Sequence, residues 1–296
     1  MTIRAAVMQL ALSVLMFVPA AGIAQEDLQW KFQSGETLKY TVQQKMQTSL
    51  TSGGRTFNSS LQQTMNMSWK IGAVAPSGDG TVTQSVDRVQ LTSEGPGGTV
   101  TFDSAAEKNT SSPQLNALSE TYGKIIGQEF AMTMKPTGKV ENVKIPDSLL
   151  QSIRKSAGSA TNPLTEESLR SMMEQASVTL PGGPIAAGQS WDSTQTVDLP
   201  FGQMKIVSNM TYEGIDTTTK MAKIKMKPSI SITPKENAAI QMTLKSAEGV
   251  GQVQFDQVKG RISRSELDLT LTMTVSRDGT SVDQTTVQKT VMQLNP

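Results

Sequence analysis

The chain contains an internal repeat. Gly98–Asp103 (GTVTFD) returns as Gly251–Asp256 (GQVQFD), and Gly35–Leu38 returns at the same offset as Gly188–Trp191. Two further matches follow in the same order at shorter offsets: Asn66–Trp69 with Asn209–Tyr212, and Met132–Met134 with Met273–Val275. Ordered matches of this kind are typical of an internal duplication, which constrains the whole fold. The sequence therefore predicts one β-rich unit that occurs twice.

The first 24 residues have the layout of a secretory signal peptide. Arg4 precedes an apolar run from Ala5 to Val18, and Pro19 separates this run from the small residues 20–24. The run is short for a bilayer span, which favours a cleavable signal over an uncleaved anchor. We therefore predict cleavage after Ala24 and an extracytoplasmic location, periplasmic or secreted. We predict no transmembrane segment in the mature chain.

Charge and composition restrict the partners and the chemistry. Loss of Arg4 with the signal leaves 26 of the 27 basic residues against 26 acidic ones. A net charge near zero argues against nucleic acid as a partner and against strong attraction to anionic membranes. Because the chain has no histidine and no cysteine, it cannot form a Ser-His-Asp triad, a thiolate nucleophile or a histidine-ligated metal site. Carboxylate or lysine chemistry stays open, as does a hard-cation site made of oxygen ligands, and we predict no cofactor.

Apolar and polar residues alternate over unusually long stretches. The clearest alternation covers residues 267–275, and similar runs at 38–50 and 57–71 flank Gly53-Gly54, which predicts a hairpin. A change of phase near Asp87-Arg88 predicts a β-bulge. Long antiparallel strands with one apolar face must curl. We therefore predict a mostly β fold, in which two duplicated antiparallel meander units form curved sheets, a barrel or a half-barrel.

Helical patterns are confined to the middle of the chain. Ser112-Pro113 begins a stretch with helical spacing as far as Ile126, Asp147 begins a second, and Thr165 begins a third. These helices either cover what the sheets enclose or pack as a connector. The predicted organisation is a signal peptide (1–24), a first β unit (25–146) with one helix near 113–126, a helical connector (147–177) and a second β unit (178–296).

Methionine is frequent, at 17 residues, against 3 Trp, 3 Tyr and 7 Phe. Its flexible, polarizable side chain suits an adaptable wall around a lipid-like ligand. Ordinary core packing is the alternative, because alternation cannot distinguish a cavity wall from a core. The candidate ligand-binding residues, which lie on predicted apolar strand faces, are Met65, Met67, Trp69, Met204, Met210 and Tyr212.

Three lysines, Lys223, Lys225 and Lys227, alternate with apolar residues and share one strand face. Such a row can bind an anionic head group or an acidic polymer. A solvated outer face, or an edge strand protected from aggregation by its lysines, explains the same pattern.

Patterns that suggest catalysis are weak. Ser152 and Lys155 have the Ser-x-x-Lys spacing, but the Ser-Asp-Asn and Lys-Thr-Gly elements that accompany it in penicillin-binding enzymes are absent from the sequence. Asp103 and Asp256 are equivalent in the repeat and each follows a Phe at a strand end, which predicts a turn or a strand-end hydrogen bond in each unit. They would form a catalytic pair only if the fold brought them together. We therefore predict no catalytic residues.

Three motifs resemble those of an uncharacterised family of secreted bacterial β-rich proteins. They are Gly35–Tyr40 (GETLKY), Gly138–Val143 (GKVENV) and Leu180–Trp191 (LPGGPIAAGQSW). The resemblance spans most of the mature chain, and its motifs are structural, so it implies a fold and no activity. In architecture the chain also resembles the curved half-barrels of periplasmic lipid and lipoprotein carriers.

The functional hypothesis is a non-enzymatic envelope protein of unknown specific function that binds an apolar or amphipathic ligand, such as a lipid, between curved sheet and helices. The alternative is a structural or protein-interaction module that contacts other envelope proteins through exposed strand edges or outer faces. An enzyme ranks third, because it would need acidic or lysine side chains that converge in a cleft.

Overall fold

A computed structural model of the protein describes residues 25–106, 112–156, 166, 169, 170, 173, 178–199, 201–236, 238, 240–277 and 279–296, without the side chains of 152–156. The predicted signal peptide lies outside the described residues, as does most of the helix predicted from Thr165. Among the described residues, neither helix has the length and apolar character needed to cross a bilayer.

The described residues form fourteen strands and two helices, named here in chain order. They are β1 (Gln25–Asp27), β2 (Thr37–Ser52), β3 (Arg55–Val74), β4 (Gly80–Gly95), β5 (Gly98–Asp103), α1 (Pro113–Gly123), β6 (Phe130–Met134), β7 (Val140–Lys144), α2 (Asp147–Ser156), β8 (Pro184–Ala186), β9 (Ser190–Leu199), β10 (Gly202–Ile215), β11 (Ala222–Pro234), β12 (Gln241–Asp256), β13 (Arg261–Arg277) and β14 (Thr280–Leu294).

Twelve of these strands form one antiparallel sheet. Its order is β7-β6-β4-β3-β2-β14-β13-β12-β11-β10-β9, and β5 pairs with the second half of β4. β1 and β8 form a separate two-stranded sheet. The strands of the two predicted units meet in the middle of the large sheet, where β2 pairs with β14 from Tyr40 to Thr51. The sheet is curved and does not close, which confirms the predicted mostly β, half-barrel-like architecture.

The two faces of the large sheet differ in polarity on most of its strands, as the alternation predicts. On β13, Leu269 and Leu271 lie on the face that we call the apolar face. Asp268 and Thr270 lie on the opposite face, which we call the polar face. Residues directly paired across strands share a face, so the register traces the apolar face from strand to strand. On β14, in the middle of the sheet, this face carries polar uncharged residues: Gln284, Thr286, Gln288 and Thr290. The apolar face also carries the core.

The main core lies at one end of the strands, which we call the base. Turns at 72–80, 134–140, 215–222 and 256–261 form this end. The segment 28–32 crosses it and links the two halves of the sheet, because the Trp30 N–H donates to the Pro136 carbonyl (2.7 Å) and the Lys31 N–H donates to the Gly260 carbonyl (2.9 Å). We call residues 28–32 the strap. The opposite end of the strands is the rim. It contains the turn 52–55, the ends of β9, β11 and β13, and the starts of β10, β12 and β14.

Aromatic side chains fill the base beneath the strap. The Trp30 ring lies 6.0 Å from Trp69 and 5.8 Å from Phe255, and Tyr40 lies 5.0 Å from Trp69. Each fully buried apolar side chain of this kind contributes about 1.5–3 kcal/mol to folding. The Tyr40 hydroxyl donates to the Ile262 carbonyl (3.2 Å), and burial raises the pKa of Tyr40 well above its usual value. The base is therefore a closed, packed end of the half-barrel.

Local features follow the sequence signals. Ser52 pairs with Arg55 around Gly53-Gly54, whose φ angles of 55° and 76° suit a tight hairpin turn. The bulge lies at Asp87, because Asn66 pairs with Arg88 whereas Met67 pairs with Val86. Both predictions are confirmed.

The first helix, α1, begins at Pro113 after Ser112, as predicted. Its Leu115, Leu118 and Tyr122 pack on a second, smaller core of Val89, Leu91 and Phe102. The helix covers the apolar face of β4 and β5. The chain itself therefore covers this part of the apolar face.

The entry to each predicted unit has the same local structure. Gly35 and Gly188 both have positive φ, and their N–H groups donate to the carbonyls of Ile71 and Tyr212 respectively. These hydrogen bonds align Tyr212 with Ile71. The sequence repeat instead aligns Tyr212 with Trp69, two residues earlier. The geometry favours a duplication at the entry strands, and the division into two units stays a prediction.

Candidate ligand-binding site

A cavity of about 210 Å³ lies on the apolar face in the second half of the chain. Residues of β9, β10 and β11 form one side, and Leu267 and Leu269 of β13 form the other. The apolar residues in its wall are Val178, Ile206, Met210, Met226, Pro228, Ile230, Leu267 and Leu269. The polar residues are Thr179, Ser193, Gln195 and Ser208.

Strand register places these side chains next to one another. Ser193 pairs with Ser208, and Ser208 pairs with Pro228 on its other side, so the three form a row across β9, β10 and β11. Gln195, Ile206 and Ile230 form the next row towards the rim. Because directly paired residues point to the same face, each row lies in the cavity wall.

The sheet opens beside this cavity. β11 and β12 are paired from Ala222–Phe255 as far as Met226–Gly251, and no pairing between them is recorded nearer the rim in the described parts of either strand. Gly249 and Gly251 allow the close approach where the pairing ends, since a Cβ atom would come within 2.5 Å of Pro228 and of Met226 respectively. We call the open stretch between β11 and β12 the fissure; it extends to the rim, where β11 ends at Pro234 and β12 begins at Gln241.

A second opening lies between the two free edges of the sheet. A space of about 350 Å³ is lined by Lys139 and Val140 beside β7, by residues 192–195 of β9, and by Thr179. We call it the seam. Thr179, Ser193 and Gln195 line both the seam and the cavity, so the two spaces adjoin. The segment 178–180 is held there, because the Leu180 N–H donates to the Thr137 carbonyl and the Trp191 indole N–H donates to the Thr179 carbonyl (both 2.8 Å).

The apolar face has no charge over most of its described area. By the register, charged residues reach this face of the large sheet only at Arg55 and Arg277, where strands begin and end at the rim. The lysines, arginines and carboxylates of the strand interiors lie on the polar face. No charged side chain of the described residues therefore lines the cavity, and a charged ligand group would find no opposite charge among them in its wall.

Between the cavity and the rim, apolar side chains remain half-buried. They belong to the apolar face of β10 to β13 and are Met204, Ile232, Met242, Leu244 and Leu271. In contrast to the face beneath α1, no described helix packs on them. The cavity thus continues towards the rim as an apolar trough.

The structure distributes the six candidate residues over several environments. Met210 lines the cavity, and Met204 lies on the trough two rows nearer the rim than Ser208. The other four pack elsewhere: Tyr212 and Trp69 in the main core, Met65 against the small core, and Met67 beside Tyr40. Sequence reasoning missed every lining residue other than Met210. Among the missed polar residues, Ser193, Gln195 and Ser208 share strand parity with Trp191 or Met210, and that parity was the available signal.

The lysine row lies on the polar face of β11. Lys223 pairs with Asp216 (2.6 Å), which raises the pKa of Lys223 and holds that of Asp216 well below its usual range. Lys225 and Lys227 are exposed. Because β11 lies between β10 and β12, the row does not mark an outer edge of the sheet.

The residues considered for catalysis have structural surroundings. The Asp103 carboxylate accepts N–H from Ala105 and pairs with Arg88, and the Asp256 carboxylate accepts N–H from Val258 (3.0 Å). Each aspartate thus stabilises the turn that follows its strand, as predicted. Ser152 and Lys155 lie in α2, and their side chains are outside the described set. The described residues bring no three acidic side chains together as metal ligands.

Comparisons with solved structures give distant likenesses. Lipovitellin, from a study titled for its lipid–protein interactions, has a TM-score of 0.48 at 11% identity, with 90% of this chain and 26% of that chain covered. DynF from the dynemicin biosynthesis pathway of Micromonospora chersina has a TM-score of 0.24 at 6% identity, with 93% and 88% covered. A DUF1329 family protein from Desulfovibrio piger has a TM-score of 0.17 at 10% identity, with 87% and 85% covered. These scores, all below 0.5, assign no function to the chain.

Sequence comparison gives a family without a function. No curated protein matches the chain. A family model described as a family of unknown function, DUF6263, matches residues 77–290, from the turn before β4 to the last part of β14. Since this match covers well over half of the sequence, the chain belongs to the DUF6263 family.

Proposed function

We propose that the protein is exported and, without catalysing a reaction, binds an apolar or amphipathic ligand on the apolar face of its half-barrel. The observation that carries the proposal is the uncharged cavity of about 210 Å³ that continues into half-buried apolar side chains between β10 and β13. The signal-like residues 1–24 support export.

The energetics favour a ligand that covers this surface. Burial of apolar surface is worth roughly 25 cal/mol per Å², so each ~100 Å² of apolar surface that a ligand covers contributes ~2.5 kcal/mol before the costs of association. A charged group would lose its hydration against the neutral wall, which penalises ions. The surface therefore selects for apolar contact.

The test uses neighbouring residues on opposite faces of β11. Ile230 lies in the cavity wall, whereas Ser229 is exposed on the polar face. Ile230→Lys places an ammonium group in the cavity, and Ser229→Lys is the matched control. Binding of the fluorescent apolar probe N-phenylnaphthylamine should weaken at least tenfold in Ile230→Lys and stay unchanged in Ser229→Lys. The proposal fails if the wild-type protein does not bind the probe, or if both variants bind it equally.

The second candidate, an interaction module, rests on the free edge of β9. Among the described residues β9 pairs with β10 alone, and such an edge can accept a strand from another protein. Asp192 and Asp198 lie on its polar face, and charges on an edge strand oppose strand addition. We rank this candidate second for that reason.

A further inference from the structure

The cavity wall has a side that carries hydroxyl groups and an apolar side. Ser193 and Ser208 are paired neighbours on β9 and β10, and Thr179 lies beside them. Ile230, Leu267 and Leu269 form the side towards β11 and β13. The hydroxyl groups of the wall therefore lie towards the seam, together with the apolar Val178, Ile206 and Met210. β11 and β13, on the other side, contribute apolar residues only.

The charged groups that line the seam, Lys139 and Asp192, are not part of the cavity wall. Lys139 pairs with Glu141 (2.9 Å), and the Asp192 carboxylate accepts from the Asn209 amide (2.9 Å). The residues that line the cavity itself carry no charge. A polar group held at Ser193 and Ser208 thus meets hydroxyl and amide partners inside the cavity, whereas Asp192, which pairs with Asn209, lies on the polar face.

The volume limits the apolar part of the ligand. Drug-sized ligands fill roughly 300–1,000 Å³, and the cavity of about 210 Å³ lies below that range. Such a space suits a segment of one alkyl chain, with the rest of the chain along the trough. A bundle of several acyl chains would exceed it.

Building on the proposed function, we propose that the site takes a single-chain amphiphile with an uncharged, hydroxyl-rich head group. The chain lies against Ile230, Leu267 and Leu269, and the head group lies at the seam beside Ser193, Ser208 and Thr179. Hydroxyls of the head group exchange hydrogen bonds with those of Ser193 and Ser208, which act as both donors and acceptors.

The experiment compares head groups on one dodecyl chain. Monolaurin (uncharged), laurate (anionic) and dodecyltrimethylammonium (cationic) each compete with N-phenylnaphthylamine, below their critical micelle concentrations. Monolaurin should displace the probe with at least tenfold higher affinity than either ion. The Ser193→Ala/Ser208→Ala variant should lose most of that preference and still bind the probe. Ser229→Ala, which removes a hydroxyl from the polar face of β11, should keep the preference.

The outcomes distinguish the head-group proposal from the proposal that the half-barrel binds an apolar ligand. If the probe binds but an ionic amphiphile competes as well as monolaurin, the head-group assignment is overturned and the apolar site stands. The same holds if the preference survives in Ser193→Ala/Ser208→Ala. If neither the probe nor any amphiphile binds the wild-type protein, both proposals fall.

Discussion

Single residues at the base hold the strap against the sheet. Gly260 has a φ of 62° and accepts the Lys31 N–H, and a Cβ atom there would come within 2.4 Å of the Lys31 nitrogen. The left-handed backbone alone costs a non-glycine residue ~1–2 kcal/mol. The contact with the Lys31 backbone nitrogen adds to that cost, because a backbone atom cannot move away by a rotamer change as the end of a side chain can.

Gly260→Ala should therefore destabilise the protein by more than ~2 kcal/mol, because it combines backbone strain with displacement of the strap. Gly279→Ala is the matched control. Its φ is 78° and nothing lies near the added Cβ, so it should cost only ~1 kcal/mol. Urea unfolding of both variants measures the difference. Equal losses would mean that the strap does not pack against Gly260.

A second residue-scale prediction concerns acid stability. The Arg88 guanidinium beside Asp103 holds the pKa of that carboxyl well below its usual value of about 3.9. A lowered folded-state pKa stabilises the fold above pH ~4, and the stabilisation is lost as the pH falls through the folded-state pKa. Asp103→Asn should lower the Tm slightly at pH 7, and its Tm should approach that of the wild type as the pH drops below ~4. A Tm difference between Asp103→Asn and the wild type that does not change with pH would contradict this account.

At the scale of the element, β12 has two environments. Near the base it is paired on both sides, and between Gln241 and Val250 it is paired with β13 alone. In an antiparallel strand, alternate N–H groups point to opposite neighbours. Alternate amides of this stretch therefore face the fissure.

Hydrogen exchange followed by NMR should resolve this pattern. Alternate amides of residues 241–250 should exchange quickly, while those of 251–255 should be protected throughout. The paired strand β13 supplies the control, because it has partners on both sides from Arg264 to Ser276. Uniform protection along β12 would mean that the fissure is closed in solution.

Sequence reasoning succeeded for features that depend on neighbouring residues. Alternation predicted the long strands, the Gly53-Gly54 hairpin and the bulge at Asp87, because each follows from local backbone geometry. It could not predict the pairing of β2 with β14, the strap or the fissure, since these depend on contacts between distant segments. The repeat shows the same limit: Phe102 and Phe255 match in sequence, and they pack in different cores.

For the whole molecule, the two halves are joined in the sheet and at the base. Besides the β2–β14 pairing, the Arg261 guanidinium forms two hydrogen bonds to the Glu36 carboxylate, of which the one from Nη2 is 3.1 Å long. Arg261 lies in β13 and Glu36 precedes β2, so the pair links the predicted units. Shared packing of this kind favours one cooperative unfolding unit.

Calorimetry should accordingly show one unfolding transition with equal calorimetric and van't Hoff enthalpies. Arg261→Met should lower the free energy of unfolding by about 1–3 kcal/mol, because it leaves the half-buried Glu36 carboxylate without its partner. The single transition should then move to a lower temperature as a whole. Lys70→Met, which breaks the exposed Lys70–Glu129 pair, should change little. Two separate transitions would show instead that the halves unfold as independent domains.

The most direct test of the central claim is native mass spectrometry of the mature protein, isolated without detergent from the envelope of its own host. The wild-type protein and Ser229→Lys should carry a bound mass that organic solvent releases, and Ile230→Lys should lack it. A wild-type protein that repeatedly shows the mass of the bare chain would contradict the claim that this half-barrel binds an apolar ligand.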